Sequence, residues 1–182
     1  MKTIGIFCAA NSVDQKYIDD AQKLAKLMVQ HGYDLVWGGS DKGLMKVMAD
    51  AVQQEGGKII GISMELVRDQ CRKAADEMIV TKDLSARKAL ILKRSDAIML
   101  LVGGIGSLDE VTEILELKKH NQHTKPVVIL NTDNYYEGLE KLFNRMKQDG
   151  FLTILPDELL YFAKTPDEAM EYINKSLGVG KK

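Results

Sequence analysis

The sequence predicts an α/β fold in which helices cover both faces of one parallel, doubly wound sheet. Short runs that are apolar at nearly every position alternate with stretches of helical periodicity from one end of the chain to the other. Runs without a polar–apolar alternation are typical of strands buried on both faces, as in parallel sheets. At 182 residues the chain is long enough for one continuous core, so a single domain over residues 1–182 is expected.

The strands are predicted from the apolar runs, taken in order. They span residues 3–9, 34–39, 58–63, 77–81, 96–104, 127–131 and 159–163. The first reads TIGIFCA and the fifth DAIMLLVGG, so each can lie in the interior of a sheet. Because helical stretches separate most of them, right-handed crossovers between parallel strands are expected.

The helices are predicted from apolar residues three and four positions apart. They span residues 14–32, 43–57, 83–95, 107–120, 136–149 and 166–176. Gly32 ends the first helix because glycine adopts the left-handed conformation that closes a helix. Thr165 and Pro166 suit the N-cap and first position of the last helix. Residues 64–76 are predicted as a loop with a helical turn, and residues 178–182 are expected to fray.

Composition excludes several classes of function. With 25 Lys and Arg against 26 Asp and Glu, the net charge of -1 favours neither nucleic acid nor an anionic membrane as a partner. No apolar run approaches the length of a membrane span, and the N-terminus does not have the pattern of a signal peptide. Two cysteines form no disulfide framework, so a cytoplasmic protein is expected. The histidines have no neighbours at metal-ligand spacing, so no metal is expected.

Three strand exits should meet at one edge of the predicted sheet, where parallel sheets bind ligands. They read CAANS at residues 8–12, WGGS at 37–40 and GGIGS at 103–107. None matches a dinucleotide fingerprint, because the glycine spacing that starts at Gly104 reaches Asp109 where a glycine is needed. None ends in the Gly-Lys-Ser/Thr of a Walker A loop either. The usual NAD and ATP sites are therefore not predicted.

The exit at residues 103–107 nevertheless has the chemistry of an anion site. Its glycines let backbone amides approach a ligand closely, the helix that follows attracts negative charge, and Ser107 supplies a hydroxyl. The phosphate of a mononucleotide or sugar phosphate would suit such a turn. From spacing alone, a tight connection followed by acids that complement the helix dipole is an equally good explanation.

Glu110 favours the functional explanation. A carboxylate near a bound phosphate weakens binding by about 1 kcal/mol at 4 Å even in bulk water, so its presence needs a reason. Cleavage of a ribosyl bond supplies one, because positive charge develops on the sugar and a carboxylate stabilises it or activates the attacking water. Arg87 and Lys88 are candidates to balance the phosphate. From composition alone, however, a solvated helix face is the better explanation of that pair.

Several stretches together resemble one known family. They read GIFCAANS (5–12), DLVWGGSDKGLMKVMADAV (34–52), SARK (85–88) and VGGIGSLDE (102–110). The last is similar to the hallmark Pro-Gly-Gly-x-Gly-Thr-x-x-Glu of the Lonely Guy family, cytokinin riboside 5′-monophosphate phosphoribohydrolases that were long labelled possible lysine decarboxylases. The resemblance extends over nearly the whole chain.

The resemblance implies a Rossmann-like nucleotide-binding domain that acts as a hydrolase without a metal or organic cofactor. The expected reaction cleaves the N-glycosidic bond of cytokinin-type or AMP-like nucleoside 5′-monophosphates, giving free base and ribose 5-phosphate. Arg87 and Glu110 would be the catalytic pair, and a homodimer with active sites near its interface is expected. The substrate-binding candidates are Ser12, Gly39, Ser40, Lys88, Gly103, Gly104, Gly106, Ser107 and Glu113.

The sequence also departs from the family pattern. Val102 replaces the hallmark proline, Ser85 stands where many members have histidine, and Lys46 stands where a glycine is usual. These departures leave open which base is preferred and whether activity is altered or lost. The alternative is a protein that binds a ligand in the same pocket without turnover, as similar molybdenum-cofactor carriers do. Arg87 and Glu110 favour the enzyme, because a carrier has no need of the carboxylate.

Overall fold

Parallel strands form one continuous sheet in the computed structural model, which describes residues 1–179. The strands are β1 (Lys2–Phe7), β2 (Tyr33–Trp37), β3 (Ile59–Met64), β4 (Glu77–Thr81), β5 (Ala97–Leu100), β6 (Val127–Leu130) and β7 (Tyr161–Ala163). Their order in space is β4-β3-β2-β1-β5-β6-β7, and every neighbouring pair is parallel. The chain therefore starts in the middle of the sheet and builds outward in both directions.

Helices cover both faces of this sheet. They are α1 (Gln15–Gln30), α2 (Gly43–Gln54), α3 (Leu84–Arg94), α4 (Ile105–Lys119), α5 (Glu137–Gln148), α6 (Pro156–Leu159) and α7 (Pro166–Ser176). Residues of α1, α2 and α7 share one apolar core, and residues of α3 to α6 share the other. The predicted doubly wound α/β architecture is confirmed. None of the described helices is both long and apolar enough to cross a membrane.

The strands alternate between the two cores. Ile4 and Ile6 of β1 belong to the core under α1 and α2, whereas Phe7 belongs to the core under α3 and α4. This follows from the geometry of a strand, in which successive side chains point to opposite faces. Trp37 at the end of β2 is fully buried, and its indole N–H donates to the Ser40 carbonyl at 3.3 Å. Burial of such a side chain stabilises the fold by roughly 1.5–3 kcal/mol.

The structure corrects several predicted boundaries. The strands predicted at 34–39 and 96–104 end earlier, at Trp37 and Leu100, so the glycines that the prediction included lie in the turns beyond the strands. The helix predicted from Ser107 begins at Ile105, and α6 was not predicted at all. A 3₁₀ segment at Glu65–Gln70 supplies the helical turn expected within 64–76. Of the segment expected to fray, residues 180–182 lie outside the described part.

Candidate active site

The candidate site lies where the exits of β1 and β5 meet, at the point where the strand order reverses. A cavity of about 260 Å³ opens there. It is lined by Cys8, Ala9, Ala10, Asn11, Met45, Arg87, Gly104, Gly106, Ser107 and Glu110. The last five are site residues predicted above. The volume of the cavity lies just below the roughly 300–1,000 Å³ of typical ligand pockets.

Arg87 and Glu110 form a buried ion pair in the wall of this cavity. Arg87 Nη1 donates to Glu110 Oε1 at 2.6 Å, and the two side chains are only 10% and 6% exposed. Arg87 Nε also donates to the Ile62 carbonyl at 3.0 Å, which fixes the guanidinium against β3. Within the described residues no hydrogen bond reaches Glu110 Oε2, so this oxygen is available to a ligand.

Burial also sets the protonation of the groups in the cavity. It raises the pKa of Glu110 above its ordinary value, and the Arg87 guanidinium opposes that shift. A carboxylate with a raised pKa is a better proton acceptor than an ordinary glutamate. Burial also raises the pKa of Cys8 well above its ordinary value, so this thiol is neutral and is a poor nucleophile.

Gly38 makes room for the side chain of Arg87. A Cβ atom at this position would overlap Nη2 of Arg87, so the guanidinium packs directly on the backbone of the turn after β2. Gly39 serves the turn itself, since its φ is +77° and a Cβ there would lie 3.0 Å from Met78 Sδ. The predicted pair Gly39 and Ser40 lies outside the cavity lining. The paired glycines in the sequence predicted that another group packs closely on this turn, but they did not indicate which glycine that group contacts.

The turn after β5 has its carbonyl groups occupied, whereas the amides of Gly104 and Gly106 are free. The carbonyl oxygens of residues 101–104 accept, in order, from Tyr136 Oη at 3.0 Å, Ala9 N at 3.0 Å, Tyr135 Oη at 2.9 Å and Leu108 N at 3.1 Å. Among the described residues no acceptor contacts the amides of Gly104 and Gly106. The first amides of a helix have no partner within it. This combination of free donors and occupied acceptors suits an anion.

The acids of α4 are not explained by the helix dipole alone. The helix starts at Ile105, so its first turn contains no acidic residue. Asp109 and Glu110 lie beyond that turn, where the effect of the dipole has weakened. The equally good explanation offered by spacing, a first turn of acids, therefore does not apply to this helix.

Lys88 and Glu113 are brought together outside the cavity lining. The Lys88 ammonium pairs with Asp109 Oδ2 at 2.9 Å and with Glu113, and its side chain is only 7% exposed. These three residues form an ion cluster, and it ties α3 to α4. Lys88 follows Arg87 in the same helix, and a step of one residue turns a side chain by about 100°, so the two cations point to different surroundings.

The remaining predicted residues also lie outside the lining. Ser12 is exposed just past the lining residue Asn11. Gly103 packs against the Ser107 side chain, because a Cβ added to Gly103 would lie 2.6 Å from the Cβ of Ser107. Sequence reasoning did not select Ala9 and Ala10, although the exit of the first strand was among the three loops placed at this edge. No group of three or more His, Cys, Asp or Glu side chains within residues 1–179 could hold a metal ion.

Two of the departures from the family pattern lie away from the cavity. Lys46 is on the outer side of α2 and pairs with Asp50 at 2.6 Å. Val102 is buried, and its carbonyl accepts the Ala9 amide that joins the two strand exits. Neither side chain lines the cavity.

Comparisons with known proteins show which family the chain belongs to. A family model described as possible lysine decarboxylase matches residues 45–173. The cytokinin riboside 5′-monophosphate phosphoribohydrolase LOG5 of Arabidopsis thaliana is 33% identical over 177 residues, covering 96% of this chain and 76% of that protein. The probable phosphoribohydrolase LOG6 of the same plant is 34% identical over 170 residues, covering 92% and 85%. The chain belongs to the Lonely Guy family.

Lonely Guy relatives carry the name of phosphoribohydrolases, which supports a hydrolase at the level of the family. The fold is shared more widely. The molybdenum cofactor binding protein of Rippkaea orientalis superposes with a TM-score of 0.77, covers 97% of both chains and is 24% identical. At that identity the likeness establishes the Rossmann-like fold alone.

Proposed function

We propose that this protein hydrolyses the N-glycosidic bond of nucleoside 5′-monophosphates of the AMP-like or cytokinin type, releasing free base and ribose 5-phosphate. The observation that carries the proposal is the buried pair of Arg87 and Glu110 in the cavity at the strand exits. The names of the Lonely Guy relatives support the class of substrate.

In this proposal the phosphate of the substrate binds at the start of α4. The free amides of Gly104 and Gly106 and the hydroxyl of Ser107 line that end of the cavity. A helix N-terminus favours negative charge, and glycines allow the phosphate oxygens to approach the backbone. The carbonyl oxygens of the turn accept hydrogen bonds from protein donors, which reduces their repulsion of the phosphate.

Glu110 acts at the sugar. As the bond from the sugar carbon to the base nitrogen breaks, positive charge develops on the ribose, and a fixed carboxylate nearby lowers the energy of that state. A water oxygen bonds to the sugar carbon, and the electron pair of the broken bond leaves with the base, which takes up a proton from solvent. Glu110 orients the water and accepts its proton, for which its raised pKa is suited. Glu110 then returns this proton to solvent, so one water is added in total.

Arg87 interacts with both negative charges, the Glu110 carboxylate and the substrate phosphate. Its bond to Oε1 holds Glu110 in one orientation and leaves Oε2 directed at the ligand. The guanidinium also offsets the repulsion between the carboxylate and the substrate phosphate, which otherwise opposes binding. One charged pair therefore positions the acid and balances the net charge of the bound complex.

We further propose a cytoplasmic homodimer. The cavity of one chain is small for a nucleotide, and Ile105, next to the lining residues Gly104 and Gly106, is 85% exposed. A second chain over this surface would bury Ile105 and complete the enclosure. Cys8 and Cys71 are both free thiols, which suits a reducing compartment.

The direct test incubates the purified protein with a panel of nucleoside monophosphates and measures free base and ribose 5-phosphate. Glu110→Gln should lower turnover by about 100-fold or more, the range of a lost general base. Glu116→Gln on the exposed side of the same helix, where Glu116 pairs with Lys119, is the matched control. Equal turnover in the Glu110 and Glu116 variants would refute the assignment of Glu110.

The same assay separates the enzyme from a carrier. A carrier needs the free amides of the turn but gains nothing from a buried carboxylate near its anion. Nucleotide binding without release of base from any nucleotide in the panel would favour the carrier. Base release that depends on Glu110 would exclude it.

A further inference from the structure

Tyr135 contacts the phosphate turn from the segment between β6 and α5. Its hydroxyl donates to the Gly103 carbonyl at 2.9 Å, although the residue as a whole is 49% exposed. The neighbouring Tyr136 hydroxyl donates to the Leu101 carbonyl at 3.0 Å. Two consecutive tyrosines thus hold alternate carbonyls of the turn.

The bond from Tyr135 determines which way one peptide faces. The carbonyl of Gly103 and the amide of Gly104 belong to the same planar peptide group and point in opposite directions. Because both flanking residues are glycines, rotation of this peptide meets little steric resistance. Rotation would turn the carbonyl towards the cavity and the Gly104 amide away from it, so the turn would present an acceptor to the phosphate.

Tyr135 is itself held in place. Its ring packs edge-on against Tyr17 at 6.0 Å and against Tyr136 at 4.8 Å. The two residues before it, Asp133 and Asn134, both have φ above +50°, at 53° and 56°, a conformation that Asp and Asn tolerate better than most residues.

Further contacts fix this segment to the rest of the chain. Asp133 pairs with Lys16, and the Thr132 hydroxyl donates to Asp20 at 2.6 Å, so α1 holds one side of the segment. The Asn131 side chain accepts the Tyr136 amide at 2.6 Å. The hydroxyl of Tyr135 is therefore presented to Gly103 by a segment with its own supports.

We propose that Tyr135 is a positioning residue that keeps the Gly104 amide directed at the substrate phosphate. This inference rests on the proposed function for its substrate, a nucleoside 5′-monophosphate. Its structural premise concerns only the orientation of the Gly103–Gly104 peptide. Loss of one neutral hydrogen bond should shift the balance between the two peptide orientations by about 3- to 10-fold.

The test compares Tyr135→Phe, which removes only the hydroxyl, with Tyr17→Phe, which removes the hydroxyl of the adjacent ring. In Tyr135→Phe the dissociation constant for ribose 5-phosphate and the KM for the nucleotide should rise by about 3- to 10-fold, with kcat within about twofold of the wild type. In ¹⁵N-labelled protein, the shift of the Gly104 amide signal on addition of ribose 5-phosphate should shrink. Tyr17→Phe should leave all of these unchanged.

An unchanged affinity for ribose 5-phosphate and an unchanged Gly104 signal in Tyr135→Phe would overturn the inference. So would a loss confined to kcat, because that would place the hydroxyl in the chemical step. If the wild type releases no base from any nucleotide, the proposed function fails instead. In that case the Gly104 signal of Tyr135→Phe, recorded with and without ribose 5-phosphate, still decides whether the peptide is anchored as we infer.

Discussion

Two glycine turns lie at the same edge of the sheet, one after β2 and one after β5, and they serve the site in different ways. At Gly38 the missing side chain gives space to another residue, the guanidinium of Arg87. At Gly104 and Gly106 an added Cβ would meet no atom within 4 Å apart from the adjoining residues and the backbone of the helix, so the space beside the backbone is open. Glycine is thus needed in one turn for internal packing, and in the other it leaves the backbone open to a ligand.

Gly38→Ala should have the largest effect. The new methyl group would displace the end of a flexible side chain, so the fold should persist while Arg87 loses its position beside Glu110. Misplacement of a catalytic group by about 1 Å can lower activity by about 100-fold. We expect a loss of this size in kcat/KM for nucleotide hydrolysis, together with a lower melting temperature, because Glu110 would stay buried without its partner.

The neighbouring Gly39→Ala is the contrasting variant. Its φ of +77° strains any residue with a side chain, so it should lower the free energy of unfolding by about 1–2 kcal/mol. Its kcat should stay near that of the wild type, because Gly39 does not line the cavity. If Gly39→Ala lost more activity than Gly38→Ala, the roles given to the two glycines would be wrong.

Gly106→Ala tests the other turn. Alanine is a better helix former than glycine, and nothing in the protein opposes its methyl group, so the free energy of unfolding should rise by about 0.5–1 kcal/mol. The methyl group would stand where the phosphate is expected, so we expect the KM for the nucleotide to rise by about tenfold. A KM equal to that of the wild type in a stabilised protein would remove the phosphate from this turn.

The pH dependence of activity tests the role of Glu110, the carboxylate that pairs with Arg87. Burial raises the pKa of Glu110 above its ordinary value of 4.5, so hydrolysis should decline as the pH falls through that raised pKa, by up to about tenfold per pH unit. An activity that stays constant down to pH 4.5 would contradict an essential ionised Glu110.

Stability should change with pH in the opposite sense. Folding favours the protonated form of a carboxyl whose pKa is raised, so the contribution of Glu110 to the free energy of unfolding is greatest below pH 4.5. It is lost as the pH rises through the raised pKa. The difference in unfolding free energy between Glu110→Gln and the wild type should therefore increase with pH, which chemical denaturation at several pH values would measure.

Lys88→Met should have the smallest effect on catalysis. The substitution removes a buried ammonium from its two half-exposed carboxylate partners, Asp109 and Glu113, and should lower the free energy of unfolding by about 1–2 kcal/mol. Because Lys88 lies outside the lining, kcat should fall by less than about tenfold. Lys46→Met, which breaks an exposed pair with Asp50, is the control and should change stability by no more than about 0.5 kcal/mol. A larger loss of activity in Lys88→Met than in Gly38→Ala would place Lys88 in the site.

Much of the fold was predictable from the sequence because burial leaves a pattern along the chain. All the strands appear as apolar runs, and the doubly wound arrangement follows from general rules for parallel sheets, although the order of the strands in the sheet was not predicted. Boundaries were least predictable at glycines, where an apolar neighbour such as Leu101 continues the pattern after the strand has ended. The short α6 was missed because its few residues depend on tertiary contacts more than on their own propensity.

The site was predictable only in part. Spacing identified the turn before α4, but it was the resemblance to a family that singled out Arg87 over Lys88. Periodicity does not say which of two adjacent cations faces a cavity, since that depends on how α3 is rotated over the sheet. Gly39 was predicted instead of Gly38 for a similar reason, since the pattern along the chain does not show which glycine is contacted. A pair of glycines predicts close approach, whereas the approaching group, the Arg87 side chain, comes from a distant part of the chain.

The position of the charged pair in the topology has a consequence for biosynthesis. Arg87 is carried by α3, which leaves the outer strand β4 and returns across the sheet, while Glu110 is carried by α4 on the far side of β5. Neither half of the sheet contains both charges. On the proposed function, a nascent or truncated chain that has assembled only β1 to β4 lacks Glu110 and would not hydrolyse a nucleotide, so activity would require that β5 and α4 have joined the sheet.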